Sequence, residues 1–323
     1  MTPMLNEAEH VGSFLADLAA QDFPGEVEVL VADGGSTDGS VERLEEAAER
    51  AKLDVSVITN EAGWVSHGLN LCIERASGDL FVRLDCHSRY PADYLRRCAR
   101  AAEETDALAV GGIVIPQGRT PVERAVACAM DSPFGGIGWS WGSGRMGRRE
   151  TDTVTFGAFR PEAFDRAGVF AESLHRNQDD EMMLRIRRAG GRVILDPAIK
   201  VHYTPRGSYG GVFRQYFQYG LWKVPVMLKH RQVLSARSIA PVAFLVSVAA
   251  LVPAALLTPV AAIALATELA AYAAGAVVFG TRSLRKHREP LGLLPRVLAA
   301  YPTFHVAYGL GMLRGWVRAA RRR

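Results

Sequence analysis

The stretch VEVLVADGGSTDGS occupies residues 27–40, and it joins an apolar run to a polar turn with two adjacent glycines. The apolar run is typical of a strand that is buried on both faces, as the strands of parallel sheets are. Downstream of it, helical and strand patterns alternate at residues 40–52, 55–58, 66–76 and 80–85. This alternation predicts an α/β fold with a mostly parallel sheet that helices cover on both faces.

Three acidic motifs stand where a ligand site is expected. Asp33 follows the strand predicted at residues 27–32, and Asp85 ends the strand predicted at 80–85. In open α/β sheets, ligands bind outside the carboxyl ends of the strands. The third motif is NQDDEMMLRIRRAGG at residues 177–191, which has the pattern of a helix with acids in its first turn. The helix dipole stabilises such acids, and a carboxylate there can accept a proton in a cleft.

In this order and spacing, the motifs resemble the inverting family 2 glycosyltransferases, which have a GT-A fold, a Rossmann-like arrangement. The resemblance runs from Pro3 to about Arg231, and it is greatest to the ExoA-like branch of succinoglycan biosynthesis. The segments that carry it are VRLDCHSRYP, SPFG, VTFGAFR, RNQDDE and RQYFQYGLWKV. It implies an enzyme that moves a sugar from a nucleotide-sugar donor, expected to be UDP-linked, to a lipid-linked saccharide acceptor. The product would serve exopolysaccharide or cell-envelope glycan synthesis.

The resemblance places the donor nucleotide at the first acidic motif. Asp33 corresponds to the acid that holds the base and ribose, and Pro3, Asn6 and Glu7 are expected to line the same pocket. The residues alone leave another interpretation of Asp33 open, because an Asp before two glycines is also typical of a plain capped turn.

The second acidic motif is the expected metal site. Asp85, Cys86 and His87 occupy the position of the family's Asp-x-Asp motif, which holds a divalent cation, Mn2+ or Mg2+, against the donor diphosphate. Asp85 is therefore expected to bind the metal ion and to belong to the donor-binding residues. His87 replaces the second acid, and three roles stay open for it: a metal ligand, a direct bond to the diphosphate, or packing. Imidazole suits Mn2+ better than Mg2+.

A second histidine belongs to the same expectation. His202 follows a predicted strand in the segment KVHY, where several family members carry a metal-binding histidine. The alternative is a structural histidine at the end of a strand.

The third acidic motif is the expected catalytic centre. The resemblance implies that Asp179 is the base that deprotonates the acceptor hydroxyl, with Asp180 as the neighbouring competitor. The spacing to Arg185 favours Asp179. The remaining alternative is that the acids only cap the helix.

Two segments are expected on the acceptor side, and one loop over the donor. The first acceptor segment consists of Gly157, Ala158, Phe159 and Arg160. The second consists of Gln215, Gln218, Tyr219 and Trp222, in a stretch that also has the pattern of an amphipathic interfacial helix. It lacks the Gln-x-x-Arg-Trp motif of processive synthases, which argues against processive synthesis. The Gly- and Arg-rich residues 140–152 are expected to form the loop.

The chain is predicted to have two parts, a catalytic domain at residues 1–231 and a membrane region at 232–323. Two apolar stretches are long enough to span a bilayer, at about 239–257 and 260–280. A third apolar stretch, 291–313, contains prolines, an arginine and a histidine, so an interfacial or re-entrant arrangement is expected for it.

Charge is unevenly distributed between these parts. The net charge is +4, and residues 281–323 hold ten Lys or Arg and one acid, so this tail carries +9 and residues 1–280 carry −5. A basic tail after apolar segments favours membrane lipids rather than nucleic acid as its partner. Positive flanks on both sides of the two predicted spans place the catalytic domain and the tail on the cytoplasmic side of the inner membrane.

The start of the chain departs from the family pattern. The family opens with an apolar strand that ends in proline, yet only Met1 and Thr2 precede Pro3. The first strand is therefore expected to be truncated or absent, and an apolar extension is expected upstream of Met1.

Two other functions remain compatible with the residues. A metal-dependent nucleotidyltransferase or phosphohydrolase could also use acids at strand ends, but it would not need the acidic helix start before a membrane anchor. A non-catalytic membrane scaffold with a degenerate nucleotide-binding fold is favoured by the truncated first strand and by His87.

Overall fold

The structure is a computed structural model, and it describes residues 1–135, 147–232 and 236–321. The described chain forms two compact units, the first with residues 1–115 and 147–203 and the second with 116–135 and 204–321. Residues 116–135 and 204–231 belong to the predicted catalytic domain at 1–231, yet they cluster with the C-terminal helices.

The first unit contains nine strands and six of the helices in the described ranges. The strands are β1 (Thr2–Met4), β2 (Val29–Asp33), β3 (Val55–Thr59), β4 (Phe81–Val82), β5 (Ser88–Arg89), β6 (Ala109–Pro116), β7 (Arg149–Glu150), β8 (Ala158–Phe159) and β9 (Val193–Tyr203). The helices are α1 (Val11–Ala19), α2 (Ser40–Ala51), α3 (Val65–Arg75), α4 (Tyr94–Thr105), α6 (Pro161–Ala167) and α7 (Gln178–Arg188). The predicted alternation of strand and helix, and with it the α/β class, is confirmed.

The front half of the sheet is parallel. Its order is β1-β2-β3, and Thr2 lies opposite Val31 while Val31 lies opposite Val57. Strand β2 is buried along its apolar length, and Val31 and Ala32 are fully inaccessible. This agrees with a central strand that is covered on both faces.

Strand β1 is present, so the interpretation that the first strand is absent is wrong. Three residues suffice because Met1 extends the pairing on the other side: its N–H donates to the Val82 carbonyl at 2.9 Å, and its carbonyl accepts from the Leu84 N–H at 3.0 Å. Alternate residues of a strand turn their N–H groups to the same side, so the next donor toward β4 would be residue 3. Pro3 has no N–H, and the pairing ends there. The upstream extension stays a prediction.

The other six strands form a second sheet, and the backbone bonds of Met1 to Val82 and Leu84 join its antiparallel part to the parallel one. Its order is β4-β8-β6-β9-β5, and β7 pairs with β9. Strand β8 runs antiparallel to both β4 and β6. The sequence did not predict this half, because β4, β5, β7 and β8 are only two residues long and carry no periodicity.

Helix α7 is anchored by its apolar face. Met182, Met183 and Ile186 are completely buried in the core together with Phe159. Burying each such side chain contributes roughly 1.5–3 kcal/mol. The acids in the first turn of α7 therefore project from a helix that the core holds in place.

The second unit is helical. It contains α5 (Pro121–Met130), α8 (Tyr209–His230), α9 (Ala236–Ala255), α10 (Pro259–Lys286) and α11 (Leu294–Ala320), with short 3-10 turns at Pro133–Gly135 and Leu291–Leu293. Helices α8 and α11 cross closely at glycines: a Cβ on Gly220 would lie 2.0 Å from the Tyr308 carbonyl oxygen, and one on Gly311 would lie 2.1 Å from that of Phe217. The stretch that we expected to be interfacial or re-entrant thus belongs to one continuous helix.

Within the described ranges, two helices are long and apolar enough to cross a membrane, at Ser238–Ala255 and Pro259–Lys286. Both agree with the predicted stretches. Only 6% of each apolar window is buried, so most of these side chains are at least partly exposed. Leu256, Leu257 and Val260 at the connection between the helices are 77–86% exposed.

Candidate active site

The first two acidic motifs follow the carboxyl ends of β2 and β4. Asp33 is the last residue of β2, and Asp85 follows β4 by three residues. The Tyr90 hydroxyl fixes the backbone at Asp85, because it accepts from the Asp85 N–H at 2.7 Å and donates to the Asp85 carbonyl at 3.2 Å. The position of Asp85 is therefore set by the fold and not by a free loop.

A buried arginine joins two of the predicted acids. The Arg83 side chain is only 8% exposed, and its Nη2 lies 3.3 Å from Asp85 Oδ1. Its Nη1 donates to Asp179 Oδ1. The structure thus brings together the expected metal ligand and the expected base, although they lie 94 residues apart in sequence. Sequence reasoning missed Arg83, and the available signal was a lone charge inside the apolar strand pattern of LFVRLD.

This arrangement perturbs the ionisation of the base candidate. Burial raises the pKa of Asp179; the Arg83 guanidinium opposes that effect, while the negative charge of Asp85 adds to it, and the pKa ends above its usual value. For Arg83, burial works to lower the pKa, but the two carboxylates outweigh it and the pKa is raised. Arg83 therefore stays charged, and Asp179 is a stronger base than an ordinary carboxylate.

The three acids at the start of α7 have different surroundings. Glu181 is fully buried, and Arg185 holds it through contacts of 2.8–3.0 Å. Arg185 also donates to the carbonyl oxygens of Gly168 and Val169. Through Arg185, Glu181 therefore fixes the position of α7. Asp180 is half-buried, and Asp179 is the acid of this turn that meets Arg83.

His87, which replaces the second acid of the expected metal motif, pairs with Glu7 in the loop after β1. His87 Nδ1 lies 2.9 Å from Glu7 Oε1. Glu7 Oε2 lies 4.0 Å from His10 Nε2, so this carboxylate stands between two imidazoles. The side chain of His87 is 31% exposed. Two of the predicted site residues, Glu7 and His87, are thus brought together beside Asp85.

Asp33 shapes a turn with its own side chain. Its Oδ2 accepts from the N–H groups of Gly35 and Ser36 at 3.0 Å, and its Oδ1 accepts from the Ser36 hydroxyl at 2.6 Å. Asn6 belongs to the same turn, because its Oδ1 accepts from the Thr37 N–H at 2.9 Å. These bonds agree with the plain turn that the residues left open for Asp33, and they place Asn6 beside it.

The structure does not add His202 to the expected metal site. Strand β9 pairs with β5 so that His202 lies opposite Arg89 and Tyr203 lies opposite Ser88. The Tyr203 ring faces His87 at 6.4 Å between centroids. Because side chains alternate between the faces of a strand, His202 points to the other face, where burial lowers its pKa.

The residues present fit a cation that takes most of its ligands from the donor. The described parts of the chain contain no group of three or more His, Cys, Asp or Glu that could hold a metal ion. The Asp85 side chain is nevertheless 18% exposed, although Arg83 Nη2 lies 3.3 Å from its Oδ1. Mg2+ and similar ions in transferases are often bound by one or two carboxylates together with substrate phosphates, and Asp85 suits that role.

The expected acceptor segments are placed differently from the prediction. Ala158 and Phe159 form β8, which lies between β4 and β6, and both are buried. Arg160 donates to the Ala102 carbonyl at 2.9 Å, and the Gly157 carbonyl accepts from the Arg83 N–H at 3.0 Å. This segment therefore supports the backbone of Arg83. Because Ala158 and Phe159 are buried, a direct contact between either of them and the acceptor does not agree with the structure.

The second expected acceptor segment lies outside the first unit. Gln215, Gln218, Tyr219 and Trp222 are on α8 of the second unit, where Gln215 donates to Tyr219 and Trp222 donates to Gln218. The predicted donor loop at 140–152 falls largely outside the described residues.

Comparison with known proteins identifies the family. The family model described as glycosyl transferase family 2 matches residues 1–170. The succinoglycan biosynthesis protein ExoA of Rhizobium meliloti (strain 1021) is 30% identical over 325 residues, which covers 99% of this chain and 95% of ExoA. The chain belongs to glycosyl transferase family 2. It is therefore a glycosyltransferase, and the resemblance that the acidic motifs indicated is confirmed.

Other relatives of this glycosyltransferase match over shorter lengths or by fold. An undecaprenyl-phosphate 4-deoxy-4-formamido-L-arabinose transferase of Pseudomonas syringae pv. syringae is 29% identical over 105 residues, 32% of this chain and 31% of that protein. Among solved structures, the mannosyltransferase PcManGT of Pyrobaculum calidifontis in complex with GDP-Man and Mn2+ has a TM-score of 0.64 at 20% identity, over 98% of this chain and 85% of its own. That similarity supports the GT-A fold of the transferase.

The family match covers the first two acidic motifs. Residues 1–170 contain Asp33, Asp85 and His87. Asp179 lies beyond that match but within the span shared with ExoA, which covers nearly the whole transferase. The buried Arg83 contacts both Asp85, inside the matched residues, and Asp179, beyond them.

Proposed function

We propose that this glycosyltransferase works at a membrane by inversion, moving a sugar from a nucleotide-sugar, expected to be a UDP-sugar, to a lipid-linked saccharide. The product would serve exopolysaccharide or cell-envelope glycan assembly. One observation carries the proposal: Arg83 holds Asp179 and Asp85 together. This pairs a base of raised pKa with a carboxylate that can face a diphosphate.

The proposed reaction is a single displacement. Asp179 accepts the proton of the acceptor hydroxyl while that oxygen attacks the anomeric carbon, and the bond from this carbon to the donor diphosphate breaks. Attack from the face opposite the leaving group inverts the configuration, which one positioned carboxylate suffices to support. When bound, a divalent cation at Asp85 would offset the charge on the departing diphosphate. Arg83 keeps both carboxylates oriented throughout.

The names of relatives support the donor and acceptor classes. The fold neighbour PcManGT was solved with GDP-Man and Mn2+, and a structure of Staphylococcus aureus TarS with UDP-GlcNAc has a TM-score of 0.51 at 15% identity, over 98% of this chain and 90% of its own. The arabinose transferase acts, by its name, with an undecaprenyl phosphate. The alternatives, a nucleotidyltransferase or phosphohydrolase and a non-catalytic scaffold, have no such support.

The uncovered helices support the membrane location. Helices α9 and α10 expose apolar side chains that a bilayer would cover. We propose that they span the inner membrane, that membrane lipids surround them and that the catalytic unit lies in the cytoplasm, since the basic flanks follow the positive-inside tendency. Helix α11, outside the two candidate spans, remains our proposed interfacial segment.

Substitution of the expected metal ligand tests the donor site. Asp85→Ala should abolish the gain in UDP affinity that Mn2+ provides, because the diphosphate charge would lose the carboxylate that holds the cation beside it. Calorimetric titration with UDP, with and without Mn2+, measures this without turnover. Asp79→Ala, which removes an exposed acid, is the control. An unchanged Mn2+ effect in Asp85→Ala would contradict the assignment.

The partner substitution His87→Asp separates the roles left open for His87. A ligand role predicts retained UDP binding with a shift in preference from Mn2+ toward Mg2+, because a carboxylate replaces the imidazole. If the metal preference does not change, His87 is not a ligand, and its bond to Glu7 accounts for its position.

Reporter fusions test the topology. Fusions at residue 285 and after residue 323 should both give a cytoplasmic signal, because the basic residues on the two sides of α11 belong to the same compartment. Signals from opposite sides would show that α11 spans the membrane, and the proposed interfacial placement would then be wrong.

A further inference from the structure

An exposed aromatic pair stands at the carboxyl edge of the sheet in the first unit and has no part in the proposed reaction. Trp64 is 45% exposed. Its ring lies against the His175 ring at 3.5 Å between centroids, with 33° between the planes. Single exposed apolar residues are common on protein surfaces, but this indole is held in a fixed orientation by a second ring.

The backbone on the Trp64 side is fixed by the neighbouring strands. Asn60 donates its N–H to the Asp33 carbonyl at 2.8 Å and its side-chain amide to the Trp64 carbonyl at 3.0 Å. Gly63 adopts a φ of +70° and approaches Gly34 so closely that a Cβ on Gly34 would lie 3.3 Å from the Gly63 Cα. Trp64 therefore stands directly beside the Asp33 turn.

The backbone on the His175 side is fixed to helix α3. Asn70, buried on α3, exchanges two hydrogen bonds of 2.9 Å with the backbone of Phe170. Glu172 accepts from the Asn70 amide at 3.1 Å and lies 3.4 Å from His67. The loop from Phe170 then runs past His175 to α7, which begins one residue before Asp179. The aromatic pair thus joins the Asp33 turn to the loop that leads into the base.

We propose that Trp64, backed by His175, is a ring-stacking subsite for the substrates, and this inference rests on the proposed function. The flat π face of an indole can stack with a nucleobase ring in an offset arrangement, and its negative charge attracts the C–H bonds on the apolar face of a pyranose. Two substrates carry such rings, the donor through its base and the acceptor through its saccharide. The pair stands next to the elements that we assign to each of them.

The test uses the full-length protein in detergent and two probes. Calorimetric titration with UDP reports the nucleobase, and saturation-transfer NMR with cellobiose reports a saccharide ring. Trp64→Ala should weaken binding of one probe by roughly 5- to 150-fold, the range expected for loss of one stacked ring. Trp64→Phe keeps a ring and should restore much of that binding. Trp316→Phe, at a residue 42% exposed on α11, is the control.

Each outcome decides the proposal. Weakened UDP binding identifies the nucleobase as the stacked ring, and weakened cellobiose binding identifies the saccharide. Unchanged binding of both probes in Trp64→Ala overturns the subsite, and so does a wild-type protein that binds neither. The proposed function fails separately, if membranes that contain the wild-type protein transfer sugar from no nucleotide-sugar to lipid.

Discussion

Asp179→Asn should lower turnover by roughly 10²- to 10⁴-fold, the usual contribution of a general base. The amide keeps the shape of the carboxylate and removes its basicity, and no other carboxylate of the first turn of α7 meets Arg83. UDP affinity should stay within a few fold, because the nucleotide is assigned to Asp33, Asn6 and Asp85. Transfer rates at saturating donor and acceptor measure the effect.

Asp180→Asn is the matched control, since it makes the same chemical change one residue away. It should cost less, because Asp180 is not the acid bonded to Arg83. If Asp180→Asn stops turnover while Asp179→Asn is mild, the base has been assigned one residue out of register. If both variants remain active, the acids of α7 are not catalytic.

Arg83→Met should cause the largest loss of stability of any single change in the site. Breaking a buried ion pair by removing one partner costs about 3–5 kcal/mol, and here two partly buried carboxylates lose the same cation. For a unit of this size that corresponds to a fall of roughly 6–20 °C in the unfolding midpoint. Scanning calorimetry of the first transition measures it. Arg96→Met, which breaks an exposed pair with Asp22, should leave that midpoint unchanged.

A double substitution distinguishes the ion pair from simple packing. Arg83→Met combined with Asp179→Asn removes the cation and one of the carboxylates that it neutralises, so it should be more stable than Arg83→Met alone. It should still be inactive. If the double variant is less stable than the wild type by the sum of the two single losses, Arg83 and Asp179 are not energetically coupled, and the link between base and metal ligand has to be abandoned.

The sequence predicted the parallel half of the fold because its signals are local. Strands β2 and β3 and helices α2 and α3 each carry a full period of apolar residues. The short strands gave no such signal: β4 and β8 have two residues each, and their places depend on neighbours far along the chain. Strand β1 was expected to be truncated or absent because only Met1 and Thr2 precede Pro3, yet pairing on both sides of the strand holds it.

The sequence named the acids as candidates for the site, but it did not name the residue that joins them. Acidic residues at strand ends and at a helix start are visible in sequence, so Asp85 and Asp179 could be named. The Arg83–Asp179 bond spans 96 positions, and the Trp64–His175 pair spans 111. Contacts between residues so far apart in the chain produce no pattern in the local sequence. His202 was misplaced for a similar reason, because the face that a strand residue occupies depends on pairing register, which the sequence did not reveal.

The most direct test follows the sugar itself. Membranes containing the wild-type protein would be incubated with a panel of radiolabelled nucleotide-sugars, UDP-sugars first, and the label in the lipid extract would be measured beside Asp179→Asn membranes. We predict that one donor labels the lipid fraction in a divalent-cation-dependent manner, and that Asp179→Asn loses at least 99% of this label, the lower end of the effect expected for a general base. Equal labelling by wild type and Asp179→Asn, or no lipid labelling from any donor, would contradict the account.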